Sequence, residues 1–292
     1  MNTTTSSRRF DADLRPVVAL LAGAVATSLV VLSAGRAVAP HVSLPAGLFG
    51  FLLTAVGSGL TLTVALVVLR WEGVPPSALG LGFGRRRATT AVALVAGLWL
   101  AINAVGAALL VTVGATVTPQ LPSGLTPVQF GFFVVEQLLI VGLVEEFVWR
   151  GYLQTKLRDW SAARGLPTGT ARAAGIVAAA ALFALWHVPQ RLLVQGMDLG
   201  TTAASVLLLV GLGVGFGLLY EATHSVLFVA LLHGSWNVRP FFFAGETAGA
   251  APAWVGPVVV YGVPLVVTLA VVVAYRRWVG AERVDVDRHA AA

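Results

Sequence analysis

Long apolar segments separated by short polar ones dominate the chain. A helix that crosses the hydrocarbon core of a bilayer, about 30 Å thick, needs roughly 17–25 mostly apolar residues. The sequence predicts eight such helices, at Pro16–Val38, Pro45–Leu69, Ala88–Val117, Val128–Trp149, Ala173–Val188, Thr202–Tyr220, Ser225–Phe243 and Val255–Tyr275. The predicted fold class is therefore all-α, a polytopic membrane protein.

Composition agrees with this pattern and excludes several classes of protein. Hydrophobic residues make up 57% of the chain and charged residues only 11%, against about a quarter charged in soluble domains. The chain has no cysteine, which excludes disulfides, thiolate catalysis and cysteine metal ligands. The net charge of +6 comes from arginines that flank apolar runs, so we expect contacts with anionic lipid headgroups and not with nucleic acid.

The distribution of basic residues predicts the orientation in a cell membrane. With eight spans, 16 of the 19 basic residues fall on one side, and only Arg36, Arg191 and Arg239 fall on the other. By the positive-inside rule, both termini are then cytoplasmic. The predicted organisation is a tail at 1–14, a single transmembrane domain at 15–276 and a tail at 277–292.

The segment after the fourth span is open to two interpretations. Gly151–Gly165 alternates apolar residues such as Tyr152 and Trp160 with charged ones such as Lys156 and Arg158. Such a pattern suits an amphipathic helix lying on the membrane surface. It equally suits a solvated extension of the fourth helix.

Ionisable side chains inside the predicted spans mark a candidate site. Each costs roughly 2.5–3.5 kcal/mol to insert, so those present usually face a polar cavity and have partners. The polar residues within or at the edges of spans are Glu136, Glu145, Glu146, Arg150, His187, His233, Asn103 and Asn237. We therefore expect an intramembrane polar cavity.

Spacing suggests how these side chains divide their tasks. Glu146 lies four residues before Arg150, which favours an ion pair on one helix face. Glu145 is turned by about 100° from Glu146, so we expect it to be the reactive carboxylate. The structural alternative is that both glutamates only hold helices together. His233 and Asn237 are four apart and share a face of another helix. Together with Glu145 and His187, they offer a carboxylate, two imidazoles and a carboxamide that could activate a water and stabilise an oxyanion.

Three motifs in this order resemble those of the CPBP or Abi family, which includes CAAX prenyl endopeptidases and bacteriocin-processing and immunity proteins. They are Glu-Glu-x-x-x-Arg at Glu145, Glu146 and Arg150, Phe-x-x-x-His at Phe183 and His187, and His-x-x-x-Asn at His233 and Asn237. The resemblance covers roughly residues 129–243. It implies a membrane peptidase for peptide or lipidated-protein substrates.

The resemblance also implies roles for individual residues. Glu145 and His187 would activate water, while His233 and Asn237 would stabilise the tetrahedral oxyanion. Glu146 and Arg150 would support the site. If a metal such as Zn²⁺ is bound, Glu145, His187 and His233 could supply its ligands; a glutamate-activated water without metal uses the same residues.

A common depth for Glu145 and His187 imposes a condition on the helices. With the predicted ends, the two residues lie near opposite ends of consecutive spans. The fourth helix must run on into Gly151–Leu157 and the fifth past Pro189, or one of the two must begin outside the hydrocarbon.

Two other functions fit parts of the pattern. A non-catalytic immunity or peptide-binding protein would keep the same helices but would not need all three motifs. A proton-coupled transporter would also place glutamate and histidine at mid-membrane, yet the sequence has no inverted repeat and no paired broken helices. The peptidase interpretation is therefore favoured.

Overall fold

The computed structural model describes residues 10, 12–44, 47–81, 84–122, 125–247 and 252–290, so most of the predicted tail 1–14 lies outside it. The protein is mainly helical, which confirms the predicted fold class. The helices are α1 Arg15–Val38, α2 Leu48–Glu72, α3 Arg85–Thr112, α4 Pro127–Ala163, α5 Thr168–Trp186, α6 Leu199–Thr223, α7 Val226–Val238 and α8, which begins at Val255 and ends as Val263–Ala290. Two strands, β1 Ala115–Pro119 and β2 Phe243–Thr247, form an antiparallel pair.

Within the described ranges, seven helices are long and apolar enough to cross a membrane, and α7 is a shorter apolar helix of 13 residues. The predicted third and seventh spans were too long. Gly114, at φ +79°, follows the end of α3, and the chain continues as β1. The apolar residues after α7 enter β2, which pairs with β1 from Pro119↔Phe243 to Ala115↔Thr247.

The chain divides into two compact units. The first unit comprises Met1–Pro45, Leu52–Gly82 and Leu143–Val226, and the second comprises Ala46–Phe51, Phe83–Gly142 and Leu227–Ala292. The first unit therefore contains α1, α5 and α6, and the second contains α3, both strands and α8. Helix α4 contributes its N-terminal part to the second unit and the remainder to the first.

Helix α4 is one element of 37 residues. At 1.5 Å per residue it is about 55 Å long, well beyond a bilayer core. Tyr152 and Lys156, each 0% exposed, show that the segment after the fourth span is a buried extension of α4. The interpretation as a surface helix was therefore wrong, and the extension that the other interpretation expected is buried and not solvated. The fifth span likewise continues to Val194. Both helices therefore have the extensions that a common depth for Glu145 and His187 requires.

In the first unit, α1 contacts both α2 and the fifth span. A Cβ on Gly23 would lie 2.6 Å from the Val64 side chain, so any larger residue would require α1 or this side chain to shift. The Trp186 indole N–H donates to the Ala24 carbonyl at 3.2 Å. At the C-terminal end of α1, Arg36 donates to the Leu193 carbonyl at 2.7 Å.

In the first unit, the buried part of α4 after Gly151 contacts the end of α2 and the segment before α1. Lys156 is ion-paired with Glu72 at the end of α2. Phe10 packs edge-on against Tyr152 at 5.5 Å between ring centroids, and its backbone N–H donates to Asp159 at 3.4 Å. Because the Lys156 ammonium also lies 5.5 Å from the centre of the Phe10 ring, this end of the unit is closed by charged and aromatic groups together.

In the second unit, α3 holds both α7 and the turn that follows it. The Trp99 indole N–H donates to Ser235 Oγ at 2.8 Å, and that hydroxyl donates to the Leu231 carbonyl. The Asn103 amide donates to the Pro240 carbonyl at 2.6 Å and accepts from the Phe242 N–H at 2.7 Å. Ser235 is 2% exposed and has a packing role.

Helix α7 also lies unusually close to the N-terminal part of α4. A Cβ on Gly142 would lie 2.6 Å from the Ala230 carbonyl oxygen, and a Cβ on Gly234 would lie 2.5 Å from that of Gln137. Small residues that let helix backbones approach are typical of membrane helix pairs. This contact sets the position of α7 against α4.

The Gly234→Ala variant should be destabilised, because its Cβ would meet backbone atoms that cannot move aside. Overpacking of this kind typically costs about 1–3 kcal/mol. Gly215→Ala on α6 is the matched control, since nothing lies within 4 Å of a Cβ there. Thermal unfolding in detergent should show a lower midpoint for Gly234→Ala only. Equal midpoints for the two variants would contradict the close contact.

Candidate active site

The structure distributes the predicted site residues over both units. Glu145, Glu146, Arg150 and His187 belong to the first unit, and His233 and Asn237 belong to the second. Each group is described within its own unit below.

Glu146 and Arg150 form a fully buried ion pair. Arg150 Nη1 lies 3.3 Å from Glu146 Oε1, and the side chains are 2% and 0% exposed. The predicted pairing of these residues is therefore confirmed. Burying a guanidinium is costly unless its charge and its N–H groups are met by protein. Arg150 Nη2 donates to the Gly213 carbonyl on α6 at 3.5 Å.

Phe183 connects the first motif to the second. The Arg150 guanidinium lies 4.6 Å from the centre of the Phe183 ring, a cation–π contact. The same ring packs edge-on against the His187 imidazole at 4.6 Å between centroids. The arginine of Glu-Glu-x-x-x-Arg and the histidine of Phe-x-x-x-His thus both contact the ring of Phe183.

The backbone of Phe183 also determines the tautomer of His187. His187 Nδ1 lies 2.9 Å from the Phe183 carbonyl oxygen. Since a carbonyl oxygen only accepts hydrogen bonds, Nδ1 carries the proton. In the neutral ring, Nε2 is then the nitrogen with the lone pair, suited to accept a proton or bind an electrophile.

Glu145 lies at the midpoint of α4, in a short α-helical turn between two π-helical segments. The turn is Gly142–Glu146, and the π-helical segments are Glu136–Val141 and Phe147–Gln154. Segments of this type occur frequently at functional sites. The Glu145 side chain is only half-buried, in contrast to Glu146. Of the two neighbouring carboxylates, Glu145 is the more accessible.

Gln154, which sequence reasoning missed, continues the polar contacts between α4 and α6. Its amide donates to the Gly217 carbonyl at 3.1 Å and to Glu221 at 3.2 Å. A Cβ on Gly217 would lie 2.8 Å from the Gln154 side-chain oxygen, and one on Gly213 would lie 3.0 Å from Ala180. Two glycines of α6 therefore bring their carbonyls within reach of α4. Their spacing of four residues matches that of Arg150 and Gln154.

In the second unit, α7 presents His233 and Asn237. His233 is 6% exposed, whereas the Asn237 side chain is exposed. The Asn237 amide donates to the Gln137 side-chain oxygen at 3.0 Å. Gln137 was also missed from the sequence, although a polar side chain in the apolar run beside Glu136 is a signal that could have identified it.

A cavity of about 350 Å³ adjoins Asn237 in the second unit. We call it the Arg239 pocket. Its lining residues are Gln120, Leu121, Pro122, Phe133, Asn237, Val238, Arg239, Phe241, Phe243 and Ala244. The pocket is thus walled mainly by apolar and aromatic side chains, with a few polar groups, as small-ligand sites usually are.

The metal site that the resemblance implies stays a prediction. Among the described residues of either unit, no group of three or more His, Asp or Glu side chains is placed to hold a metal. The three suggested ligands are divided between the units, with Glu145 and His187 in the first and His233 in the second.

Comparison with known protein families finds a match that spans helices α4 to α7. Residues 127–239 match the model of the type II CAAX prenyl endopeptidase Rce1-like family. No curated protein and no solved structure matches the chain. The matched segment contains all six predicted site residues, and its limits agree with the resemblance at roughly residues 129–243. Residues 127–239 are thus similar to the CPBP family of CAAX prenyl endopeptidases and related membrane proteins.

Proposed function

We propose that this protein is an intramembrane endopeptidase that hydrolyses peptide bonds of membrane-associated or lipidated peptides through a Glu/His-activated water. The family is a protease family, which supports a peptidase with a peptide substrate in a membrane environment. The observation that carries the proposal is the connection of Arg150 to His187 through Phe183. It joins two motifs into one structure and gives His187 a defined tautomer.

In the proposed reaction, Glu145 acts as the general base. It takes a proton from a water molecule whose oxygen attacks the carbonyl carbon of the scissile bond. Glu145 is suited to this role because it is more accessible than Glu146, whose carboxylate is paired with Arg150 in full burial. His187 would accept a hydrogen bond from the same water at Nε2, which holds the water in line for attack.

The attack generates a tetrahedral intermediate with a negative oxygen, which His233 and Asn237 would stabilise. Asn237 carries two amide N–H groups, and one of the hydrogen bonds that it donates goes to Gln137. The orientation of the carboxamide is therefore held before substrate binds, and the second N–H is available for an oxyanion. Collapse of the intermediate breaks the C–N bond, and the proton taken by Glu145 passes to the leaving amine.

No step of this proposal uses a metal, because Glu145 and His187 can activate a water without one. If Zn²⁺ is bound, it would supply Lewis-acid polarisation and a more acidic water. The Nδ1–carbonyl bond of His187 is the kind of contact that orients histidine ligands. The metal content of the purified, active protein decides between the metal-free and the metal-dependent mechanism.

Glu145→Gln should abolish hydrolysis, because an amide cannot accept the water proton. General bases typically contribute about 10²–10⁴-fold to the rate, so kcat should fall by at least that range. Hydrolysis of fluorescence-quenched peptides, lipidated and not, measures it on protein purified in detergent.

The control for this loss is Glu246→Gln, which removes an exposed carboxylate on β2. Glu246 is not one of the candidate site residues, so this variant should retain activity. An active Glu145→Gln variant would overturn the assignment of the base.

The supporting role of Glu146 and Arg150 predicts a charge-dependent loss of stability. Arg150→Met would leave the Glu146 carboxylate buried without its guanidinium, which typically costs about 3–5 kcal/mol. The double variant Glu146→Gln with Arg150→Met removes both charges and should recover much of that loss. Unfolding midpoints in detergent test this, with Arg172→Met, an exposed arginine, as the control. Equal instability of the single and double variants would contradict the charge argument.

A further inference from the structure

Five arginines gather at one end of the second unit, where α3 begins and α8 leaves the packed core. We call this group the α3–α8 basic patch, and its members are Arg85, Arg86, Arg87, Arg276 and Arg277. The positive-inside rule predicts that this end is cytoplasmic. Clusters of about four to eight basic residues beside a membrane helix are typical of segments that bind anionic lipids.

Helices α3 and α8 are antiparallel neighbours, which brings the two parts of the patch to the same end. A Cβ on Gly106, late in α3, would lie 3.5 Å from the Val259 side chain, early in α8. Contacts continue between α3 and the part of α8 after Val263. Counted from Gly106 and Val259, Arg87 lies 19 residues back along α3 and Arg276 lies 17 residues on along α8. At about 1.5 Å per residue, both arginines reach nearly the same level.

No carboxylate neutralises this end of the unit. Over residues 83–142 and 227–281, the acidic residues are Glu136, inside the apolar run of α4, and Glu246, on β2. The neighbour of Glu246, Gly245, meets Leu110 near the opposite end of α3. The tail residues 282–288 carry three carboxylates against two arginines, too few to balance the patch. Four members form no ion pair with any side chain that the structure describes: Arg85, Arg87, Arg276 and Arg277.

Basic side chains of the first unit, by contrast, have partners close by. Ion pairs join Arg15 to Asp13, Lys156 to Glu72, and Arg158 to both Asp159 and Glu221. The Arg164 guanidinium lies 3.6 Å from the centre of the Trp160 ring. Unpaired positive charge is therefore concentrated in the patch of the second unit.

The positions of three members make this charge unfavourable unless an anion is bound. Arg85, Arg86 and Arg87 occupy the first turn of α3, which contains no acidic residue and has no side-chain cap. The N-terminal end of a helix carries a partial positive charge, so cations there are repelled. Neighbouring guanidinium groups also repel one another. A bound anion would turn this repulsion into attraction.

Aromatic side chains indicate that the patch lies at the membrane surface. The Tyr275 ring, 1% exposed, stacks on Phe228 at 4.1 Å between ring centroids. The next two residues are the exposed Arg276 and Arg277, and Trp278 follows with 57% of its surface exposed. Tryptophan is enriched where membrane and water meet, at the level of the lipid headgroups. The arginines beside Trp278 therefore lie at headgroup depth.

We propose that the α3–α8 basic patch binds the headgroup of a phospholipid with net negative charge, of the phosphatidylglycerol type. Guanidinium groups bind phosphate oxygens through paired hydrogen bonds. The acyl chains would lie against the lipid-facing side of the same helices, where Val92 and Val273 are exposed. Lipid binding here is independent of the proposed hydrolysis. It stabilises the unit that contains Asn237.

Titration of the full-length protein in neutral detergent tests the proposal, with bound lipids counted by native mass spectrometry. The two probes are dioleoyl phosphatidylglycerol and dioleoyl phosphatidylcholine, which have the same acyl chains and differ in net charge. We expect the first phosphatidylglycerol to bind at least about tenfold more tightly than the first phosphatidylcholine. This preference should shrink in high salt, because exposed charges are screened.

The double variant Arg87→Gln with Arg276→Gln removes one arginine from each helix. Each basic residue near an anionic surface contributes about fivefold to binding, so phosphatidylglycerol should bind about 25-fold more weakly. The control, Arg70→Gln with Arg164→Gln, removes the same charge from two exposed arginines of the first unit. It should keep the preference for phosphatidylglycerol.

Thermal unfolding separates a lipid site from a structural role of the arginines. In neutral detergent without lipid, the Arg87→Gln with Arg276→Gln variant should unfold no lower than wild type, because it loses repulsion. Added phosphatidylglycerol should raise the midpoint of wild type and of the control, but not that of this variant. A variant that already unfolds lower without lipid would show that the arginines stabilise the fold themselves, which overturns the proposal.

Three binding results would also overturn it. Equal binding of the two lipids by wild type shows that headgroup charge is not recognised. An equal loss in both double variants shows that total charge matters and the patch does not. Inorganic phosphate that competes with phosphatidylglycerol at equal concentration shows a site for free phosphate and not for a lipid.

Discussion

A guanidinium inside an apolar helix bundle has to find its counter-charge and its hydrogen-bond acceptors within the protein. In the first unit, Arg150 contacts three helices: it is ion-paired with Glu146 on α4, lies near the Phe183 ring on α5 and donates to the Gly213 carbonyl on α6. The three helices are thereby held in one arrangement. Because Phe183 also sets the tautomer of His187, the same contacts that neutralise the buried charge orient a proposed catalytic group.

In the second unit, α7 has only 13 residues. At about 20 Å it is shorter than a bilayer core, and contacts with other helices hold it in place. Close backbone contact at Gly234 sets its distance from α4, and the Trp99–Ser235 hydrogen bond ties it to α3. Asn103 then holds the turn that follows. These contacts fix the end of α7, where Asn237 and the Arg239 pocket lie.

Hydropathy predicted the helices well where an apolar run has a polar end, as at Arg15–Val38. It failed after α3 and α7, because apolar residues that enter a strand cannot be told from residues that continue a helix. The Glu146–Arg150 pair was predictable from its spacing of four. The contacts of Gln137 and the close approach at Gly234 were not, since they join residues about a hundred positions apart in the sequence. Roles for Glu145, His187, His233 and Asn237 stay predictions.

The central claim is that Glu145 and Asn237 serve one reaction, and a double-mutant cycle tests it most directly. The rates of peptide hydrolysis would be measured for wild type, Glu145→Gln, Asn237→Ala and the double variant. If both residues act on one intermediate, their effects are strongly non-additive, and the double variant is hardly slower than the worse single variant. Effects that simply multiply, or an Asn237→Ala variant as fast as wild type, would contradict the account.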